Sequence, residues 1–91
     1  MAKVIVTLKI MPEDTSTDIK TLEDKAKKSI THFGGDVGKV EIEPIAFGLK
    51  ALKLIFVMDE NKGSTETLEK DVSKIKGVGS VEISDVRRAI G

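Results

Sequence analysis

The 91-residue sequence contains no cysteine, which excludes disulfide bonds, thiolate metal sites and cysteine nucleophiles. Its 15 basic and 15 acidic side chains cancel, whereas a dedicated nucleic-acid binder usually carries a basic excess. The longest apolar run, 54–58, is far shorter than the ~20 residues that cross a bilayer. We therefore expect one cytoplasmic domain over 1–91 that has no membrane contact and no direct contact with nucleic acid.

Side chains for covalent catalysis are also scarce. The single histidine, His32, has no second histidine or cysteine beside it, and it suits the C-terminal end of a helix. The carboxylates are scattered without the spacing of an acid–base pair. A glycine-rich segment at 34–38 follows a predicted helix instead of opening one, which is the wrong context for binding phosphate. We expect no catalytic residue, no metal and no cofactor, and hence a binding protein that is not an enzyme.

Hydrophobic periodicity predicts four strands and two helices in the order β-α-β-β-α-β. The strands are predicted over 3–11, 40–44 (beginning as early as 36), 52–58 and 80–87, and the helices over 18–33 and from Ser64 or Thr65 to the glycines of 77–79. A short connection at 45–49 makes the two middle strands a hairpin. Right-handed crossovers then place both helices on one face of a four-stranded antiparallel sheet. This is an α+β fold, a ferredoxin-like two-layer sandwich.

The same alternation predicts which side chains face each way. Ile5, Thr7 and Lys9, with Ile55 and Val57, are expected on the sheet face that no helix covers. Val40 and Ile42 are expected to point inward, and Phe56 to lie in the core. In the last strand Val86 is out of phase with Val81 and Ile83, which predicts a bulge near 84–85.

The hairpin turn carries the least expected residue. Phe47 is one of only three aromatic residues, and it lies in a loop between a proline and a lysine. From the residues alone, the usual burial of large apolar side chains favours Phe47 folding back as a cap on the core. At the C-terminus, Arg87 and Arg88 are either a charged strand edge that discourages sheet extension or a contact for an acidic partner or a phosphate.

Several segments in order resemble one family. They are Ile10-Met11-Pro12, Leu22-Glu23, Pro44-Ile45-Ala46-Phe47-Gly48-Leu49-Lys50-Ala51-Leu52, Asp59-Glu60-Asn61-Lys62-Gly63 and Val81-Glu82-Ile83-Ser84-Asp85-Val86. Together they resemble elongation factor 1-beta in its short archaeal form, over nearly the whole chain. The resemblance implies a ferredoxin-like guanine-nucleotide exchange factor that promotes GDP release from elongation factor 1-alpha, so that this GTPase reloads with GTP during translation elongation. Separately, we expect the free protein to be a monomer.

In that family the hairpin aromatic inserts into the GTPase beside its nucleotide site, and it matches Phe47. The resemblance therefore implies that Phe47 is an exposed wedge, with Gly48 allowing close approach of the backbone and with Ala46 and Lys50 also at the interface. Eukaryotic members insert a lysine near the C-terminus into the magnesium site. This chain has no lysine there, so the lysine's role is not carried over: either Arg87 or Arg88 replaces it, or the chain relies on Phe47 alone.

Two other functions fit the same fold. One is a small regulatory or ligand-binding ferredoxin-like domain that dimerises through its open sheet face. The other, less well supported, is an RNA- or ribosome-associated module, because such domains stack bases on aromatics of the central strands and this chain offers only Phe56 there.

Overall fold

The computed structural model describes residues 2–89, and it confirms the predicted fold class and element order. The elements are β1 (Lys3–Pro12), α1 (Ile19–Phe33), β2 (Asp36–Pro44), β3 (Lys50–Asp59), α2 (Glu66–Ser73) and β4 (Val78–Ala89). The strands form one antiparallel sheet in the order β2-β3-β1-β4. Met1, Ile90 and Gly91, which complete the predicted domain 1–91, lie outside the described residues.

Helix α1 begins and ends where its capping residues require. The carboxylate of Asp18 accepts hydrogen bonds from the Lys20 N–H (3.0 Å) and the Thr21 hydroxyl (2.9 Å). The Thr21 bond is the main reason that the pKa of Asp18 lies below its ordinary value. At the other end Gly34 has a φ of 109°, and its N–H bonds to the Ile30 carbonyl. The predicted start at Asp18 is therefore one residue early, because Asp18 is the cap.

The second half departs further from the predicted bounds. Helix α2 ends at Ser73, so Ile75 lies beyond the helix, although it still packs against the core from the turn. Strand β4 begins at Val78, two residues before the predicted start, because Val78 already pairs with Pro12 of β1. Sequence periodicity alone does not separate a helix end from the turn that follows it, and boundaries are therefore the weakest part of the prediction.

The core lies between one face of the sheet and the two helices. Strands β1 and β3 contribute alternate side chains to it, and both helices contribute their apolar stripes: Val6, Leu8, Ile10, Leu52, Leu54, Phe56 and Met58 from the sheet, and Leu22, Ala26, Ile30, Leu68 and Val72 from the helices. Phe56 is fully buried among them, as predicted. On the other face Ile5 pairs with Val57 and Thr7 pairs with Ile55, which confirms the predicted helix-free face.

The predicted bulge in β4 is confirmed. Thr7 pairs with Asp85 while its neighbour Leu8 pairs with Ile83, so Ser84 is the extra residue. The shift returns Val86 to the helix side of the sheet, opposite Val6, but α2 does not extend over it and Val86 remains 57% exposed.

The molecule is elongated, with a longest dimension of 42 Å, and its two ends lie at opposite ends of the strands. One end carries the β2–β3 hairpin turn, and the other carries the last residues of β4, where Arg88 pairs with Val4. The register aligns Leu52 of the hairpin with Ile10, six residues along β1 from Val4. At ~3.3 Å per residue the two ends are at least ~20 Å apart.

Candidate partner-binding site

The β2–β3 hairpin closes with a tight turn of defined geometry. The Leu49 N–H donates to the Ala46 carbonyl (3.2 Å), and the Ile45 N–H donates to the Leu49 carbonyl (2.7 Å). Between them Phe47 has φ 60° and ψ 31°, and Gly48 has φ 77°. A four-residue turn with positive φ at both central positions is a type I′ turn, whose twist matches that of the flanking strands.

Phe47 occupies a turn position at which other residue types are preferred. Type I′ turns favour Asn-Gly, Asp-Gly or Gly-Gly at the two centres, because a Cβ is strained at positive φ. Gly48 follows this rule, and Phe47 breaks it as the one non-glycine residue with positive φ among residues 2–89. Backbone strain of this kind costs about 1–3 kcal/mol and clusters at functional sites. The local conformation thus points to a role for the phenyl ring outside the fold.

The exposure of Phe47 agrees with that conclusion. Its side chain is 94% exposed, so the interpretation from residues alone, that Phe47 caps the core, is wrong. The family resemblance implied an exposed side chain, and the structure agrees with that exposure, while the role of Phe47 as a wedge stays a prediction. The burial tendency failed because it is an average over positions, and a turn that projects from the sheet gives its central side chain no core to reach.

Two further apolar residues of the hairpin are exposed, and sequence analysis did not select them as site residues. Within residues 2–89 the large apolar side chains that are exposed are Ile42 (51%), Ile45 (36%), Phe47 (94%) and Val86 (57%), so three of the four lie in this hairpin. Ile42 was predicted to point inward. It does lie on the helix side, opposite Leu52, but the helices do not cover this part of the sheet. A cluster of exposed apolar side chains marks an interaction surface more often than isolated ones do.

The hairpin next to the turn carries one ion pair and one lysine without an ion pair in the described chain. Glu43 is paired with Lys53, whose ammonium group, by its hydrogen bond and its charge, holds the pKa of Glu43 below its usual value. Lys50 is exposed and forms no ion pair with any residue of the described chain. The turn therefore presents apolar surface together with one available cation.

The β1–α1 loop supports the turn from one side. Asp14 accepts hydrogen bonds from the N–H (2.9 Å) and hydroxyl (2.6 Å) of Ser16, which fold this loop tightly and lower the pKa of Asp14. Thr15 then lies against Gly48, where the Cβ of a substituted side chain would be 3.5 Å from the Thr15 methyl group. That is an ordinary contact, so Gly48 is required for its positive φ and not for lack of space.

The predicted site residues fall into two groups that the structure keeps apart. Ala46, Phe47, Gly48 and Lys50 lie together at the hairpin end. Arg87 and Arg88 lie at the opposite end, where the Arg87 Nε bonds to an Asp85 carboxylate oxygen (2.8 Å) and Arg88 forms a two-pronged pair with Glu60 (Nη2 to the two oxygens, 3.0 and 2.9 Å). Both arginines are therefore engaged within the chain, and they do not belong to the hairpin surface.

Comparison with known proteins identifies the family. The sequence profile of the EF-1 guanine nucleotide exchange domain matches residues 5–89. The chain belongs to the EF-1 guanine nucleotide exchange domain family. Among its relatives, elongation factor 1-beta of Staphylothermus marinus is 47% identical over 97% of this chain and 98% of the relative, and that of Aeropyrum pernix is 45% identical with the same coverage. The corresponding protein of Methanobrevibacter smithii is 44% identical, again over 97% and 98%.

These relatives place this exchange-domain chain in translation elongation. Solved structures add support for the fold alone, since their identity to this chain is low. The C-terminal domain of the MgtC protein from Mycobacterium tuberculosis superposes with a TM-score of 0.64 at 12% identity, covering 97% of this chain and 88% of that one. The ACT domain from GTP pyrophosphokinase of Chlorobium tepidum gives 0.59 at 22% identity, covering 89% and 97%.

Among residues 2–89 no group of three or more histidine or acidic side chains is arranged to hold a metal ion. His32 is exposed in the last turn of α1, where a cation is favourable. No helix in the described part of the chain is long and apolar enough to cross a membrane. The exposure and positive φ of Phe47 make the hairpin surface the candidate functional site of the described structure.

Proposed function

We propose that this protein is an exchange factor that binds elongation factor 1-alpha and promotes the release of GDP from it, with Phe47 as the anchor of the contact. The observation that carries the proposal is the exposure of Phe47 in a strained turn. The family assignment supplies the partner, because EF-1 exchange domains are named for this activity. Neither the exposure of Phe47 nor its strained backbone stabilises the isolated fold, whereas both suit insertion into another protein.

The proposed activity forms no covalent bond and uses no catalytic residue of this chain. An exchange factor binds the nucleotide-free GTPase more tightly than the loaded one, and reciprocal coupling then weakens nucleotide binding by the same factor. The Phe47 side chain fits beside the nucleotide site of the GTPase only when the contacts between the GTPase and its nucleotide are disturbed. Its binding therefore favours the nucleotide-free GTPase. The GTPase reloads from the cellular pool after GDP has left.

The side chain, backbone and nearby charge of the turn suit Phe47 to the role of an anchor. A phenylalanine has two side-chain torsions, so it loses little conformational entropy when it is fixed in a pocket. The turn holds its backbone in place through two hydrogen bonds, which limits the cost of ordering on binding. Lys50 is placed to meet an acidic group at the rim of that pocket, where charge steers association.

The arginine end is a second and separate contact in this proposal. Because it lies at least ~20 Å from the hairpin, Arg87 or Arg88 reaches the GTPase only if the partner spans the length of the sheet. Arg88 must also leave or share its pair with Glu60. Arg88→Ala should therefore slow exchange if this end binds, and leave exchange unchanged if the hairpin acts alone.

The test is the release of labelled GDP from elongation factor 1-alpha of the same organism, with and without this protein. Acceleration at substoichiometric protein is expected, because an exchange factor turns over. Absence of acceleration would show that the proposed function is wrong. Tight binding of an amino acid or nucleotide to the isolated protein would then favour a ligand-binding domain, and salt-dependent RNA binding would favour an RNA-associated module.

A further inference from the structure

The end of the hairpin carries exposed apolar groups on both of its faces. Ile42 pairs with Leu52, a fully buried core residue, and residues opposite each other in an antiparallel ladder share a face. Ile42 is therefore on the helix side of the sheet. No helix reaches over it, and half of its side chain remains in contact with water.

Ile45 lies on the opposite face. Glu43 pairs with Ala51, which puts Glu43 on the helix-free side. Ile45 follows two residues later with extended dihedral angles (φ −118°, ψ −167°), so the alternation of side chains continues through it. With Phe47 at the apex, the arm formed by residues 42–52 has an apolar group above, below and at its tip.

We propose that elongation factor 1-alpha holds this arm in an apolar cleft that contacts both faces, with Ile42 and Ile45 as two contacts additional to Phe47. This inference rests on the proposed function and names the shape of the partner surface. A flat apolar patch would cover one face and leave the other isoleucine in water. A cleft removes both from water, and an acidic group at its mouth would match Lys50, which lacks an ion pair within the described chain.

The experiment compares threonine with valine at each position. The two side chains have nearly the same shape and both suit a strand, so Ile42→Thr and Ile42→Val differ mainly in one methyl group replaced by a hydroxyl. Ile45→Thr and Ile45→Val form the second pair. The chain has no cysteine, so Thr67→Cys on the exposed side of α2 accepts a single fluorescent label. Anisotropy then reports the affinity for nucleotide-free elongation factor 1-alpha.

We expect each valine variant to bind within about twofold of the original protein, and each threonine variant to bind about fivefold or more weakly. If only one of the two positions shows this difference, the contact is a flat patch and the cleft is wrong. If neither does while Phe47→Ala still weakens binding, the proposed function stands and the cleft is wrong. If binding fails altogether for the unchanged protein, the proposed function itself has failed.

Sedimentation of the free variants tests whether a second copy of this chain, and not the GTPase, covers the arm. The arm would also be covered if two copies of this chain paired through it. Threonine variants that dissociate a dimer of the free protein, while their affinity for the GTPase matches that of the valine variants, would assign the arm to self-association and overturn the proposal. A free protein whose sedimentation is the same in all variants, together with two weakened threonine variants, supports the cleft.

Discussion

Replacing Phe47 by asparagine should make the protein more stable and less active at the same time. Asparagine is a preferred residue at the first central position of a type I′ turn, because its short polar side chain tolerates positive φ. This conformation destabilises a non-glycine residue by about 1–2 kcal/mol, and we expect asparagine to reduce that strain energy by about half. The phenyl ring is 94% exposed, so its removal costs only ~0.2 kcal/mol of buried apolar surface.

The net gain for Phe47→Asn is thus about 0.5–1 kcal/mol in the free energy of unfolding, or roughly 2–8 °C in Tm for a domain of this size. Whereas stability rises, the affinity for the GTPase should fall by about 2–4 kcal/mol, as for a hot-spot aromatic, which is roughly 30- to 1,000-fold. Far-UV circular dichroism is the suitable assay for unfolding, because the chain has no tryptophan or tyrosine to report by fluorescence.

Phe47→Ala is the matched control. Alanine also lacks the ring, and it has no short polar side chain to make positive φ tolerable, so it should lose binding without gaining stability. A Phe47→Asn variant that is less stable than the original would refute the reasoning, because it would show that the ring contributes to the fold or that the turn is unstrained. Equal stability of the alanine and asparagine variants would contradict the type I′ argument in particular.

Three further predictions concern the turn, the core and the cap of α1. Gly48→Ala should lower the free energy of unfolding by about 1–2 kcal/mol through its φ of 77° alone, measured by urea titration, and a neutral result would contradict the turn geometry. Phe56→Ala should cost about 3–5 kcal/mol because the ring is fully buried, in contrast to the small effect of Phe47→Ala. The lowered pKa of Asp18 contributes stability that is present above its ordinary value of ~3.9 and is lost as pH falls through the folded-state value. Asp18→Asn keeps the helix cap but does not titrate, so its Tm should fall less than that of the original protein in acid, and parallel curves would show that this carboxylate does not contribute.

Strand and helix patterns in this sequence predicted much of the fold, because one periodicity governs each element. Alternation in β1 and β3 identified both faces of the sheet, and the phase of Val86 predicted the bulge at Ser84. The end of α2 was less predictable. Ile75 continues the apolar spacing of the helix while it lies in the following turn, since a turn residue packs on the core as readily as a helical one does.

The candidate site was harder to predict from residues alone. Alternation places Ile42 on the helix side, but it does not say where the helices stop covering the sheet, so its exposure was missed. Phe47 was misjudged on burial tendency and placed correctly by family resemblance, which carries information about partners that composition lacks. Sequence spacing also gave no sign that Arg88 lies at the far end of the sheet in a pair with Glu60, because strand register decides that distance.

The rate of labelled GDP release from elongation factor 1-alpha, measured with the original protein and with Phe47→Asn, tests the central claim most directly. The asparagine variant is expected to be folded and at least as stable, so a change in rate reports on the contact and not on unfolding. We predict that the original protein accelerates release and that Phe47→Asn accelerates it little at the same concentration. Equal acceleration by the two proteins would contradict the assignment of the hairpin turn as the site of exchange.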